Sequence, residues 1–210
     1  MNQIFNPENE FWKILDKLSD VVGLSLLWFL CSLPVATLPA ASTALYDCAA
    51  RCVRGGQPGV YGRFFRTFRS EFKLATPAGL LWGAALFLPF AGYNILTNAP
   101  QPTRPMLVLA LAYYVFMALP AGVLCWLFPL ASRYTLTFRG LNCTALQLWL
   151  AHLPSSLAMA ALLALCVDLT VRLLLPVCCL PCLLALAHSL FVERAFQKHM
   201  PDGAPPAEGA

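Results

Sequence analysis

Four long runs of the sequence are apolar and contain no Lys, Arg, Asp or Glu. They are Pro77–Leu96, Met106–Leu130, Leu146–Val167 and Leu173–Val192. An α-helix needs about 20 mostly apolar residues to cross a bilayer core about 30 Å thick. The runs are continuous, whereas the strands of a membrane β-barrel alternate apolar and polar residues. The sequence therefore predicts an all-α fold, a polytopic membrane helix bundle.

Composition excludes the soluble classes of protein. Of 210 residues, 59% are hydrophobic and 11% are charged, and the mean hydropathy is +0.67. A soluble domain carries about 25% charged residues, so this chain has too few charges to cover a water-facing surface. A soluble enzyme, a nucleic-acid-binding domain and a disordered chain are thereby excluded.

A fifth apolar run, Val21–Leu45, contains Pro34 and Pro39. Each proline removes a backbone donor and clashes with the preceding helical turn. We interpret the run as one span with a helix break at these prolines, near its outer end. The alternative is a tight hairpin of two short helices, Asp20–Leu33 and Ala40–Arg54.

The predicted organisation is therefore one transmembrane domain over residues 21–200. An amphipathic segment, residues 1–20, precedes this domain, and a disordered tail, residues 201–210, follows it. The bundle has five spans, or six with the hairpin. The five lie at about residues 21–45, 77–96, 106–130, 146–167 and 173–192.

The basic residues predict the orientation of the bundle. Six of the fourteen lie within Arg51–Lys73, two more are Arg133 and Arg139, and others follow the last run. Short loops rich in Lys and Arg face the cytoplasm. We expect a multi-pass protein of the bacterial cell membrane with a cytoplasmic C-terminus. The N-terminus is outside with five spans and inside with six.

The segment Val60–Ala75 is predicted to form a basic amphipathic helix. At about 100° per residue, its aromatic side chains occupy one arc and its basic side chains another. Such a helix lies in the membrane interface with its cations on anionic headgroups, and its aromatic face also suits a groove on a partner protein. Flanking spans argue against nucleic acid. The candidate interaction residues are Tyr61, Phe64, Phe65, Arg66, Phe68, Arg69, Phe72 and Lys73.

Motifs for catalysis are sparse. Cys179 and Cys182 form a C-x-x-C in the last span, which suggests a membrane thiol oxidoreductase as an alternative function. Most of the nine cysteines lie in apolar runs, where cysteine behaves as a small hydrophobe. The sequence has no nucleophilic-serine, zinc-protease or phosphate-loop motif. We expect no enzymatic activity, metal or cofactor. A small solute transporter is a third hypothesis for the function.

Several motifs, in order, resemble the YesL family of bacterial integral membrane proteins. Leu24–Trp28 leads into Ser32–Thr37 and then Pro39–Tyr46, and the aromatic pattern Phe64 to Lys73 follows. Leu127–Tyr134 and the last span ending at Val192 complete a resemblance that covers about residues 5–200.

The resemblance implies a role without a mechanism. The family has no established activity or catalytic residues. Its members are typically encoded in Gram-positive bacteria beside sugar ABC transporters and glycan-degrading enzymes. The implied function is accessory to carbohydrate uptake or its regulation, with a sugar ABC permease or ATPase as partner. Five or six helices are few for a stand-alone carrier, so a homo-oligomer is also expected.

Overall fold

The computed structural model describes residues 10–99, 103–173 and 179–199, without the side chains of residues 10–15, 171–173 and 194–199. Within these ranges the chain is all-α, as the sequence predicts. The predicted disordered tail and the first nine residues lie outside the described part. The helices are α1 Glu10–Ser32, α2 Leu38–Cys48, α3 Val60–Thr97, α4 Arg104–Arg133, α5 Phe138–Ala151, α6 Leu153–Leu173 and α7 Leu180–His199.

Three of these helices are long and apolar enough to cross a membrane. They are α3, α4 and the Leu153–Thr170 part of α6, and α7 contains the shorter apolar stretch Leu180–Glu193. These helices indicate a membrane protein. The number of membrane spans, five or six, stays a prediction.

The apolar run 21–45 forms a helical hairpin rather than one broken span. A 3-10 turn, Val35–Thr37, separates α1 from α2, and a π-helical turn, Ala49–Arg54, continues α2. Across the hairpin, Trp28 Nε1 donates a hydrogen bond to Ser42 Oγ at 3.1 Å. The chain reverses at Pro34, where the missing backbone donor and the clash of the ring with the preceding turn favour the end of α1. Pro39 lies in the first turn of α2, where a missing N–H leaves no bond unmade.

Helix α3 joins the predicted amphipathic helix to the predicted span 77–96 without a break. Its 38 residues extend over about 57 Å at 1.5 Å per residue. Helix α4 packs antiparallel to it, and the rings of Tyr93 and Tyr114 lie 5.9 Å apart. The amphipathic segment is therefore continuous with a helix that is long and apolar enough to cross a membrane.

The single helix predicted over 146–167 is wrong, because the structure divides it at His152. That residue has φ −125° and ψ 46°, so α5 ends at Ala151. Pro154 has no N–H to donate to the preceding turn, which favours the break. Close to the break, Ser156 Oγ donates to the carbonyl of His152 at 2.9 Å and accepts from Trp126 Nε1 at 2.7 Å.

The buried side chains form two clusters. One surrounds Trp126 and joins α4 to α5 and α6. The other lies between the hairpin, the start of α3 and α7, and its largest members are Leu24 and Phe64. This second cluster fixes the amphipathic part of α3 to the rest of the molecule.

Candidate functional site

A buried carboxylate ties α2 to the amphipathic part of α3. The Asp47 side chain is only 3% exposed. Its oxygens accept hydrogen bonds from Arg63 Nε at 2.6 Å and Thr67 Oγ1 at 3.0 Å. Arg51 forms an ion pair with the same carboxylate, with its Nε 3.0 Å away. A charge removed from water needs such partners to offset the lost hydration.

A second ion-pair cluster joins three helical segments. Glu193 on α7 lies 2.7 Å from Arg54 Nη1 and 2.6 Å from Arg133 Nη2. Arg54 ends the π-helical turn and Arg133 ends α4. The basic segments that the sequence assigns to one side of the membrane therefore meet at one end of the molecule, which we call the basic end. Which side of the membrane it faces stays a prediction.

The predicted aromatic face is divided between the interior and the surface. Phe64 is completely buried among side chains of the hairpin and α7, and half-buried Phe68 stacks on it at a ring separation of 6.3 Å. Phe64 is therefore part of the core and has no surface to offer a partner. Helical periodicity could not separate these two rings from their exposed neighbours.

The remaining residues of the predicted set are exposed and lie next to one another on one side of α3. Phe65 is 52% exposed, and Tyr61 and Phe72 are exposed as well. The exposed cations flank them within an arc of about 140° at 100° per residue. Within the described part of the chain, no acidic residue pairs with these cations. We call this surface the aromatic–basic face; it consists of Tyr61, Phe65, Arg66, Arg69, Phe72 and Lys73.

An open depression of about 760 Å³ borders the face beside Tyr61. The carboxylates of Asp16 and Asp20 line one wall. Burial raises the pKa of Asp20, and the negative charge of Asp16 raises it further. The opposite wall is the loop before α3, where Gly56 and Gly59 have φ of 70° and 83°. Residues with a Cβ rarely adopt this left-handed conformation, so the glycines shape the wall.

The C-x-x-C motif lies elsewhere. The backbone N–H of Cys182 donates to Ser25 Oγ at 3.3 Å in the buried cluster, and Cys179 is half-buried. Both thiols are free. Among the described residues, no three His, Cys, Asp or Glu side chains could hold a metal ion. Thiol chemistry stays a hypothesis from the sequence.

Sequence reasoning missed Asp47 and Glu193. The available signal was modest: each is a lone acidic residue that follows a long apolar stretch. An ionisable residue in such a position is costly unless it is paired. Arg51 lies one helical turn from Asp47. The other partners of the two carboxylates come from other helical segments, so their pairing needed the structure.

Two comparisons with known proteins identify relatives. Residues 21–93 match the family model described as "Protein of unknown function, DUF624". The chain is 26% identical over 140 residues to "Uncharacterized protein YesL" of Bacillus subtilis (strain 168). That match covers 66% of this chain and 65% of the relative, slightly less than two thirds of its length. No solved structure matches. The two matches confirm the resemblance found in the sequence and support a relationship of this chain to the YesL family.

Proposed function

We propose that this chain is a non-enzymatic membrane protein accessory to carbohydrate uptake, and that the aromatic–basic face docks on a sugar ABC permease or its ATPase. The carbohydrate part of this proposal rests on the family resemblance. The docking part rests on one observation: aromatic rings and cations lie exposed together on a helix that is fixed to the bundle.

The fixed position of the face supports docking. Phe64 anchors its inner side in the buried cluster, and Arg63 and Thr67 bind the buried Asp47. A face held in this way loses little conformational freedom when it binds, so less of the interaction energy is spent on ordering.

The length of α3 carries the face away from the bilayer core. If residues 77–96 cross the membrane, the 17 residues before them extend about 25 Å at 1.5 Å per residue. The outer part of the face would then be accessible to a protein on the cytoplasmic side.

Residue types favour a protein partner over lipid alone. Aromatic residues and arginine are enriched at the centres of protein interfaces. The neighbouring carboxylates of Asp16 and Asp20 would repel anionic headgroups, while a partner with a basic segment would fit them. The cations of the same face still allow its edge to contact anionic lipid.

The experiment compares two alanine variants in the native membrane. One carries Phe65→Ala with Phe72→Ala, and its control carries Phe87→Ala, an exposed ring on α3 within the predicted span. We expect the double variant to lose at least about tenfold of the co-purified permease or ATPase, equal to about 1.4 kcal/mol, with a matching fall in sugar uptake.

The control should retain both partner and uptake. Unchanged association and uptake in the double variant would contradict the docking proposal. Recovery of a second copy of this chain in place of the transporter would also contradict it and indicate a homo-oligomer.

A further inference from the structure

The aromatic–basic face carries three exposed cations, Arg66, Arg69 and Lys73. The ion pairs among the described residues do not include them. Glu71, the one acidic residue in the α3 sequence, lies on the opposite side of the helix at about 100° per residue. A segment that supplies carboxylates would therefore complement the charge of this face.

The chain itself contains a segment of matching composition, the tail at residues 201–210. The tail contains Asp202 and Glu208 and no Lys or Arg. It also contains three prolines, which restrict φ and favour the extended polyproline conformation. Proline-rich segments in this conformation bind aromatic-lined surfaces. The tail is too poor in large apolar residues to form a core of its own, but such a segment can still bind a preformed surface.

Helix α7 brings the tail to the basic end. Glu193 on α7 belongs to the ion-pair cluster there, and α7 continues for about 9 Å beyond it, to His199. The charges of Glu193 and of Asp47, which binds α3, both act on the Tyr46 hydroxyl. The end of α7 and the amphipathic part of α3 are therefore neighbours.

The tail is long enough to cover the face. Its ten residues extend about 31 Å in the polyproline conformation. The face extends about 10 Å along α3 from Arg66 to Lys73. Asp202 and Glu208 lie up to about 19 Å apart in the extended tail, so both carboxylates can reach cations of the face. Two of the prolines, Pro205 and Pro206, would then lie on the rings between them.

The covalent link between tail and face makes weak contacts effective. Exposed ion pairs are individually weak, so a free peptide of this composition would bind poorly. A segment joined to its site by a short linker meets that site at an effective concentration in the millimolar range. The same contacts therefore favour the chain's own tail over a second copy of the chain.

We propose that residues 201–210 dock on the aromatic–basic face of their own chain, with Asp202 and Glu208 on its cations and the prolines between them on its rings. The docked tail competes with the transporter for the face. The contact is independent of the function proposed above, and only the competition rests on it.

Zero-length cross-linking tests the contact. A carbodiimide joins a carboxylate to an amine only where the two groups touch. The full chain is placed in phosphatidylcholine nanodiscs, treated with the carbodiimide and digested, and mass spectrometry locates the new amide bonds. We expect at least about fivefold more bonds from Glu208 to Lys73 than to Lys17, because the tether concentrates the tail at the face. Lys17 is the control because it is an exposed lysine on α1. Equal bonds to both lysines would overturn the proposal.

Two double variants provide a matched comparison. Arg66→Ala with Arg69→Ala removes two cations of the face and keeps every group that reacts. Arg104→Ala with Arg139→Ala removes two exposed cations from α4 and α5. We expect the first to lower the bond to Lys73 at least about threefold through the two lost ion pairs, and the second to leave it unchanged. An equal yield in the two variants would overturn the role of the face.

Two conditions distinguish other occupants of the face. When light and heavy isotope forms of the chain are expressed together, we expect bonds within one form only. Bonds between light and heavy chains would assign the contact to a second copy and overturn the proposal. We also expect the bond to Lys73 to persist when half of the lipid is phosphatidylglycerol. Its loss would assign the face to anionic lipid and overturn the proposal.

The competition is tested with a chain that ends at Met200. We expect this form to co-purify at least about threefold more permease or ATPase than the full chain, because the tethered competitor is gone. Unchanged recovery of the transporter would overturn the competition. Absence of the transporter from both forms would contradict the docking function, while the bond to Lys73 would still decide the contact.

Discussion

At the scale of single residues, Asp47 is a carboxylate buried in the basic end, where it depends on nearby cations to offset its lost hydration. Its carboxylate is buried, forms ion pairs with two guanidinium groups and accepts a hydrogen bond from one hydroxyl. Removing its charge would leave Arg51 and Arg63 without their anion. The arginines themselves keep some contact with solvent, which limits the cost.

We therefore predict that Asp47→Asn destabilises the protein by about 2 kcal/mol, below the 3–5 kcal/mol of a fully buried pair. Thermal unfolding in detergent, followed by loss of monomeric protein in chromatography, measures the change. An unchanged unfolding temperature would mean that the Asp47 contacts do not stabilise the fold.

Glu71→Gln makes the same chemical change as Asp47→Asn, from an acid to its amide. In contrast to Asp47→Asn, it is not expected to destabilise the protein. Burial raises the pKa of Glu71 above 4.5, opposed by a hydrogen bond from Ser70 and reinforced by Asp47. The folded protein thus holds this proton more tightly than the unfolded chain, so stability falls as the pH rises through the folded-state pKa.

We predict that Glu71→Gln unfolds at the same or a higher temperature than wild type at pH 8. The difference should disappear below pH 4.5, where both forms are neutral at this position. A variant less stable than wild type at pH 8 would contradict the assigned direction.

The aromatic residues show how far periodicity can predict a site. The pattern placed Tyr61, Phe64, Phe65, Phe68 and Phe72 on one arc, and they do share one side of α3. The arc meets the buried cluster at one edge, so the five rings divide between core and surface. Only the contacts of Phe64 with the hairpin and α7 show where that division falls.

At the scale of helices, close packing of α2 on α3 positions the face. A Cβ on Gly79 would overlap the Pro39 ring, at 2.6 Å from its Cγ. The ring is rigid and cannot move aside as a flexible side chain would. A glycine at this point therefore permits the two helices to approach.

We predict that Gly79→Ala destabilises the protein by about 1–3 kcal/mol through overpacking. Gly83→Ala, one turn further along, has open space and should be neutral or stabilising by up to about 1 kcal/mol from helix propensity. The two variants are compared by thermal unfolding in the same detergent. Equal behaviour would show that Gly79 is not a tight contact.

The charge-free runs predicted α3 and α4 well because length and hydropathy decide whether a helix can cross lipid. They failed at His152, since apolar composition continues through Pro154 while the helix does not. For Val21–Leu45, the two prolines led to the interpretation of one broken span, with a hairpin as the alternative. Pairing of Trp28 with Ser42 decides between them, and such a distant contact is not encoded in local pattern.

At the scale of the whole molecule, the hairpin returns the chain to the basic end. Asp16 and Asp20 border the same depression as Gly56 and Gly59, and Glu193 pairs with Arg54 nearby. The start of α1 and the end of α7 therefore lie toward one end of the bundle. The sequence placed the basic segments together but left the N-terminus undecided.

We predict that the N-terminus and the C-terminus both face the cytoplasm. Fusions of a fluorescent protein at either end should fluoresce, and fusions of a periplasmic-type phosphatase at either end should be inactive. An active phosphatase at the N-terminus alone would contradict the hairpin topology.

The most direct test of the account places a photo-crosslinking amino acid at position 65 in the native membrane. The matched control carries it at position 87, which is exposed on the same helix within the predicted span. We expect an adduct with a sugar permease or its ATPase at position 65, and lipid adducts at position 87. Lipid adducts alone at both positions would contradict the proposal that the aromatic–basic face docks on a protein.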